Sequence, residues 1–323
     1  MSPPSVETIS QLAELYVQVH ALQGEAANLY RRYAKLAVSF WQNKPIASIT
    51  EIDVHLFAVQ LQQKYSSTTA ADILRRLRTL LQFAWEIHLI NDLPRQWPKI
   101  RVVPALPEAW TEEEVARFYR VAIQQPGRIG PHQAGDWWKA FLSTAWDTGL
   151  RISQMFRLRL ADVDWRRGYL IVQACPHTKS YRPQVKPLSS ETLLALGQIA
   201  EPAREMLFCW PEWPKSRRDF FSVWRYLCWL AQVPAPRTPR QLTHRWRRSS
   251  ITQAALGSLE SARRQAGHAS PETTLRHYVD PRLLAHGPPP VPPLERISKA
   301  NGVRDLEQPP KNGGLNGNGR KIF

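Results

Sequence analysis

The sequence predicts a mainly α-helical protein with one small antiparallel β hairpin: an all-α N-terminal domain followed by a mixed α+β domain. Three observations carry that prediction. Apolar residues in the first hundred positions recur at helical spacing, with capping residues between the runs. A single β-branched stretch, Gly168 to Ala174, reads as a strand, with Tyr181 to Leu188 as its partner. A proline-rich stretch from Pro94 to Pro107 separates the halves. The length, 323 residues, gives room for two domains of roughly 150 residues each.

Ile9, Leu12, Ala13, Tyr16, Val19 and His20 share one face of a first helix. A second helix runs from about Ala26 to Asn43, with Leu29, Tyr33, Leu36, Ala37 and Phe40 inward. Lys44-Pro45 ends it, because the residue before proline avoids the helical region. Thr50 caps a third helix whose first turn holds Glu51 and Asp53. Ser66 to Thr68 caps a fourth, predicted to reach about Asn91. Ile73, Leu77, Leu80, Leu81, Ala84 and Trp85 form its inner face, and Arg75, Arg76 and Arg78 its outer face. The expected domains are residues 1–93 and 108–286, joined by a linker at 94–107, with a disordered Pro/Gly/Asn-rich tail at 287–323.

The second domain opens where Thr111 and the acidic run Glu112 to Glu114 cap a helix. Trp137 to Thr148 is another helix. The hairpin comes next, with His177, Thr178 and Lys179 in its loop, and the rest to about residue 286 is mostly helical.

Charge and composition narrow the function classes. The net charge is +16 and uneven: residues 1–104 carry +3 and residues 105–323 carry +13. Arginine dominates the second half, and its forked head suits phosphate. Such a balance points to a polyanionic partner, nucleic acid first. No apolar run is long enough to span a membrane, so no membrane partner is expected. Met1 to Gly24 does not read as a signal peptide, and Cys175, Cys209 and Cys228 form neither a disulfide framework nor a metal pair. The expected location is the cytoplasm, with the nucleoid. No phosphate-binding glycine loop, two-metal carboxylate set or zinc spacing is present, so no cofactor and no metal are expected.

Four clusters in the second domain carry chemistry. Thr148-Gly149-Leu150-Arg151 places a guanidinium at the start of a helix, beside free backbone N–H groups. Lys179 sits at the hairpin tip. His244 and Arg247, three apart, share a helical face within a segment, 237–264, that holds seven arginines and one carboxylate, Glu260. Gly267-His268-Ala269-Ser270 precedes a short helix begun by Ser270-Pro271-Glu272, and Tyr278 lies ten residues after His268.

In this order and at these distances the clusters resemble the tyrosine recombinase (phage-type integrase) family, over nearly the whole chain. The resemblance implies a helical, SAM-like core-binding domain and a catalytic domain of the tyrosine recombinase type. It implies a site built from Arg151, Lys179, His244, Arg247, His268 and the nucleophile Tyr278. The family reaction is attack of tyrosine on a DNA phosphodiester through a 3′-phosphotyrosyl intermediate, without ATP. The implied partners are double-stranded DNA and further copies of the chain, a tetramer on paired sites. The two domains are expected to clamp the duplex, with Arg75, Arg76 and Arg78 from the first and Arg240, Arg245 and Arg248 from the second meeting the backbone.

The sequence departs from the family pattern at Gln154, where Glu or Asp is frequent, at Trp246 and Arg248, where Leu and His are frequent, and at Ala266. None of these removes a catalytic group. Two alternatives use the same scaffold: a catalytically inactive site-specific DNA-binding protein, and a type IB-like topoisomerase that relaxes DNA without exchanging partners.

Overall fold

The computed structural model describes residues 6–42, 44–103, 105–173, 183–213, 215–236 and 238–284. The chain divides into two units, Met1–Ala105 and Leu106–Phe323. The structure is mostly helical with small antiparallel sheets.

In the first unit the helix starts obey their caps. Thr8, Thr50 and Ser66 each accept a backbone N–H of the following first turn. The helices are α1 (Ile9–Val19), α2 (Gly24–Trp41), α3 (Glu51–Lys64) and α4 (Ser67–Glu86). Leu12, Ala37, Val54, Phe57, Ile73, Leu80 and Leu81 form the core between them. The helix ends differ from the sequence reading. Helix α4 stops at Glu86 rather than near Asn91, because His88 turns left-handed (φ 60°) and the Leu89 N–H reaches back to the Ala84 carbonyl. Helix α1 ends the same way through Ala21 (φ 47°), with the Leu22 N–H on the Val17 carbonyl. Val19, expected on the inner face, is exposed, and Val17 is in the core instead. Trp85, expected inside, is also exposed.

The α4 arginines do not share one outer face. Arg75 is exposed and pairs with Asp72 at 2.5 Å. Arg76 is mostly covered, 3.2 Å from Asp72 and 5.0 Å above the Tyr30 ring. Arg78 is exposed and lies 5.9 Å from the Trp97 ring centre.

The second unit opens with α5 (Glu112–Ile123), whose N-cap Thr111 exchanges hydrogen bonds with Glu114. A small hairpin that the sequence reading did not include, β1 (Arg128–Ile129) with β2 (His132–Gln133), leads into α6 (Ala134–Thr148). Next come α7 (Ile152–Met155) and a three-stranded antiparallel sheet of β3 (Val163–Asp164), β4 (Tyr169–Val172) and β5 (Gln184–Pro187), in that order. The expected hairpin is β4–β5, with Leu170 opposite Lys186. The third strand is additional, and its two residues carry no alternation to read. Helices α8 (Ser190–Ile199), α9 (Arg217–Leu230), α10 (Pro239–Gly257), α11 (Leu259–Ala266), α12 (Pro271–His277) and α13 (Pro281–Leu284) complete the unit.

An aromatic cluster holds these helices together. Trp137 and Phe141 of α6 stack at 4.7 Å, and Trp138 meets Phe220 and Trp224 of α9 at 5.9 and 5.7 Å. Phe118 of α5 is fully buried between Trp110, Trp224 and Trp246, at 5.0, 5.1 and 5.6 Å. Trp246 is thereby a core residue that fixes α10 against α5. Truncating Phe118 to alanine is expected to destabilise this unit by about 3–5 kcal/mol in chemical denaturation. A loss below about 1 kcal/mol contradicts this packing.

Candidate active site

Two left-handed glycines set the site's frame. Gly149 (φ +59°) ends α6 and turns the chain so that Arg151 opens α7. A Cβ at Gly149 would press on Gln265 of α11, so the turn and that helix are in close contact. Gly267 (φ +66°) ends α11 and turns the chain toward His268. The side-chain oxygen of Gln154 accepts the Arg151 N–H at 3.1 Å, so the neutral amide at this departure from the family pattern still closes the turn.

Helix α10 projects Trp246 into the aromatic core and Arg247 into the site. The Arg247 side chain is buried at 3% exposure. One of its terminal nitrogens donates to the Ala266 carbonyl at 2.7 Å, and its guanidinium carbon lies 4.9 Å from the Tyr278 ring centre. Its Nε has no hydrogen-bond partner among the described residues. Burial, followed by the nearby Arg151, pushes its pKa down to about 10, with Tyr278 acting in the opposite direction.

Tyr278 lies directly after α12, and its backbone is held from two sides. Its N–H donates to the Thr274 carbonyl at 3.0 Å, and its carbonyl accepts from Thr252 Oγ1 at 3.2 Å. Its phenol feels burial, which raises the pKa, against the charges and hydrogen bonds of Arg247 and Arg151, which lower it. The cations prevail and the net shift is downward. The ring centres of His268 and His244 lie 4.6 and 6.4 Å from that of Tyr278. His268 Nδ1 is 3.0 Å from Thr274 Oγ1. Burial first, then Arg247 and Arg151, push the His268 pKa down to about 4. No carboxylate is among the groups that shift Arg247, His268 or Tyr278. A half-buried cationic site without a fixed anion is suited to binding one from outside.

Arg151, His244, Arg247, His268 and Tyr278 are thus gathered from three separate stretches of chain. Lys179 lies outside the described residues, as does the side chain of Arg240. Arg245, expected to face DNA, is largely covered and ion-paired with Glu108. Arg248 is half-buried and donates from Nε to the His277 carbonyl at 3.2 Å, bracing the residue before the tyrosine. Sequence reasoning did not single out Thr252, Thr274 or Lys186. Thr252 and Thr274 have no motif of their own, although Thr274 lies at a fixed offset between His268 and Tyr278. Among the described residues, no cluster of three or more His, Cys, Asp or Glu side chains is placed to hold a metal ion, and no helix is long and apolar enough to cross a membrane.

Two titrations test this electrostatic arrangement. The His268 imidazole is expected to stay neutral well below the ordinary 6.5 and to protonate near pH 4, read from its ring-proton NMR shift. Because the unfolded chain takes that proton first, stability contributed by neutral His268 declines as pH falls from about 6.5 toward 4. A midpoint near 6.5 contradicts the geometry. The Tyr278 phenol is expected to titrate below the ordinary 10, and to move upward in Arg151→Ala, read from ultraviolet difference absorbance against Tyr278→Phe. An unmoved midpoint removes Arg151 from the phenol's surroundings.

Comparison with known proteins agrees with this geometry. The profile of the phage integrase family matches residues 109–283. The tyrosine recombinase XerD of Proteus mirabilis is 30% identical over 192 residues, covering 57% of this chain and 58% of that protein. The matched region is therefore a little over half of that relative's length. The tyrosine recombinase XerA of Pyrococcus furiosus is 22% identical over 268 residues, covering 82% of this chain and 88% of that protein. Among solved structures, the Tn1549 transposon integrase in complex with a circular intermediate DNA superposes with a TM-score of 0.66 at 17% identity, covering 92% of this chain and all of that one. A lambda integrase dimer bound to a COC′ core site gives 0.64 at 17% identity, with 88% and 100% covered. With a family match across more than half its length, the chain belongs to the phage integrase family of tyrosine recombinases.

Proposed function

We propose that this protein is a site-specific DNA recombinase or integrase that cuts and rejoins strands through a 3′-phosphotyrosyl intermediate. The observation that carries the reading is the Tyr278 phenol set against both Arg151 and Arg247. A free phenol has a pKa of about 10, and only about one in a thousand is ionised at neutral pH. The two guanidiniums favour the phenolate and supply donors for the non-bridging phosphate oxygens, where charge gathers in the transition state.

The family resemblance and the chemistry of the side chains support the following roles. The Tyr278 oxygen attacks phosphorus, a tyrosyl–phosphorus bond forms, and the bond to the 5′-oxygen breaks. His244 takes the phenolic proton. Lys179 gives a proton to the departing 5′-oxygen. His268 donates through Nε2–H to a phosphate oxygen, the tautomer in which the Thr274 hydroxyl donates to Nδ1. In the second half the 5′-hydroxyl of a partner strand attacks the phosphotyrosine and restores the phenol. One ester replaces another, so no nucleotide is consumed. Double-stranded DNA is the substrate, and exchange between two duplexes calls for several copies of the chain on paired sites. The arginine-rich second unit supports a phosphate-dominated interface. The altered positions support retained activity: Gln154 still bonds the Arg151 turn, and Trp246 packs in the core rather than in the site.

Nicked suicide DNA substrates test the chemistry. A covalent protein–DNA adduct is expected on a denaturing gel, absent in Tyr278→Phe while DNA binding is kept. Arg247→Ala is expected to slow adduct formation on the order of 10²- to 10³-fold. Binding without an adduct on any substrate supports the inactive DNA-binding alternative. Affinity for DNA is expected to fall steeply with salt, by about 0.9 log units per tenfold salt for each phosphate neutralised. A flat titration contradicts the phosphate interface.

A further inference from the structure

The β4–β5 sheet carries a buried lysine that the chemistry above does not use. Lys186 stands opposite Leu170 on the core face of the sheet and is 3% exposed, in a strand position that otherwise suits an apolar residue. Its ammonium donates to two successive carbonyls in the last turn of α11, Arg264 at 2.6 Å and Gln265 at 2.8 Å. The next carbonyl, Ala266, is taken by Arg247. Three consecutive carbonyls at this helix end are therefore held by two buried cations, one from β5 and one from α10. A cation at a helix C-terminus is favourably placed against the helix dipole.

Beyond those carbonyls the chain enters the site. Gly267 and His268 come next, and their amides donate back to the Arg264 and Arg263 carbonyls, both at 3.2 Å. Gln184, two residues before Lys186 on the same face of β5, packs against Gly267 so closely that a Cβ there would overlap its amide. One strand thus supports the turn that delivers His268 and gives Arg247 its carbonyl partner. A buried ammonium whose partners among the described residues are neutral carbonyls adds little to folding compared with a methylene chain of the same shape, so stability alone does not account for it.

We propose that Lys186 is a positioning residue: by fastening the end of α11 to β5 it fixes where His268 and the Arg247 guanidinium meet the scissile phosphate. The proposal rests on the recombinase reading. Burial and the charge of Arg247 hold the Lys186 pKa near 7, which is consistent with an amine held by geometry rather than by a counter-ion.

Lys186→Met keeps the length and apolar body and removes the donors. In the full chain it is expected to slow adduct formation on suicide DNA at least tenfold, with DNA affinity within about threefold and a melting temperature at or above that of the unsubstituted protein. Lys186→Gln, which returns N–H donors to the same turn, is expected to recover at least threefold of that rate. Unchanged adduct formation in Lys186→Met overturns the proposal. So does a rate loss that merely tracks a lowered melting temperature, and so do equal rates in the two variants. Hydrogen exchange without DNA gives an independent reading: the Gly267 and His268 amides are expected to exchange at least tenfold faster in Lys186→Met, while those of α6 do not change. If the unsubstituted protein forms no adduct, the recombinase reading fails on its own. The exchange rates then decide the proposal, and unaltered protection at Gly267 and His268 overturns it.

Discussion

The constraint on which the site depends is the convergence of two guanidiniums on one phenol, with no carboxylate among the described groups that shift Arg247 or Tyr278. Buried cations are ordinarily paired, and here Arg247 has a carbonyl, the Tyr278 hydroxyl and ring, and an Nε that has no partner among the described residues. The two guanidiniums lower the phenol's pKa against its burial, while burial first and the neighbouring charges second push down those of His268 and Arg247. Under the proposed function a phosphodiester would supply the counter-charge.

The fastenings of this site come from ordinary residues. Thr252 holds the Tyr278 carbonyl, Thr274 holds the His268 ring, and Arg248 holds the end of α12. None is given a reactive role in the proposed chemistry; each restricts the backbone or side chain of the segment that carries His268 and Tyr278. Rigid placement of this kind lowers the reorganisation needed when charge develops, and that is the largest electrostatic contribution an enzyme can make.

Much of this was legible in the sequence, for physical reasons that differ by element. Helix starts were readable because Thr8, Thr50, Ser66 and Thr111 are side-chain caps with local partners. Helix ends were less so: His88 and Ala21 take left-handed conformations usually given to glycine, so nothing in the composition marks the stop. Trp85 and Val19, each in the last turn of its helix, face outward. The candidate set was legible because each member sits in a motif at family spacing, and the structure brings His244, Arg247 and His268 near Tyr278. The arginines were harder. Charge alone does not separate Arg75, which is exposed, from Arg76 or Arg245, which tertiary neighbours have covered and paired. Lys186 was hidden because a lysine in a short amphipathic strand reads as solvent-facing until the opposite register is known.

Adjacent positions on α10 point in different directions, Trp246 toward the aromatic cluster and Arg247 toward Tyr278. Along one helix, interior packing and the placement of the site's guanidinium are therefore a single mechanical system. Drift in the hydrophobic interior that rolls this helix by a few degrees displaces the guanidinium by a comparable amount. The two regions must evolve in step, and compensating changes among Trp110, Phe118, Trp146 and Trp246 would be the trace such co-adaptation leaves in the descendants of this chain.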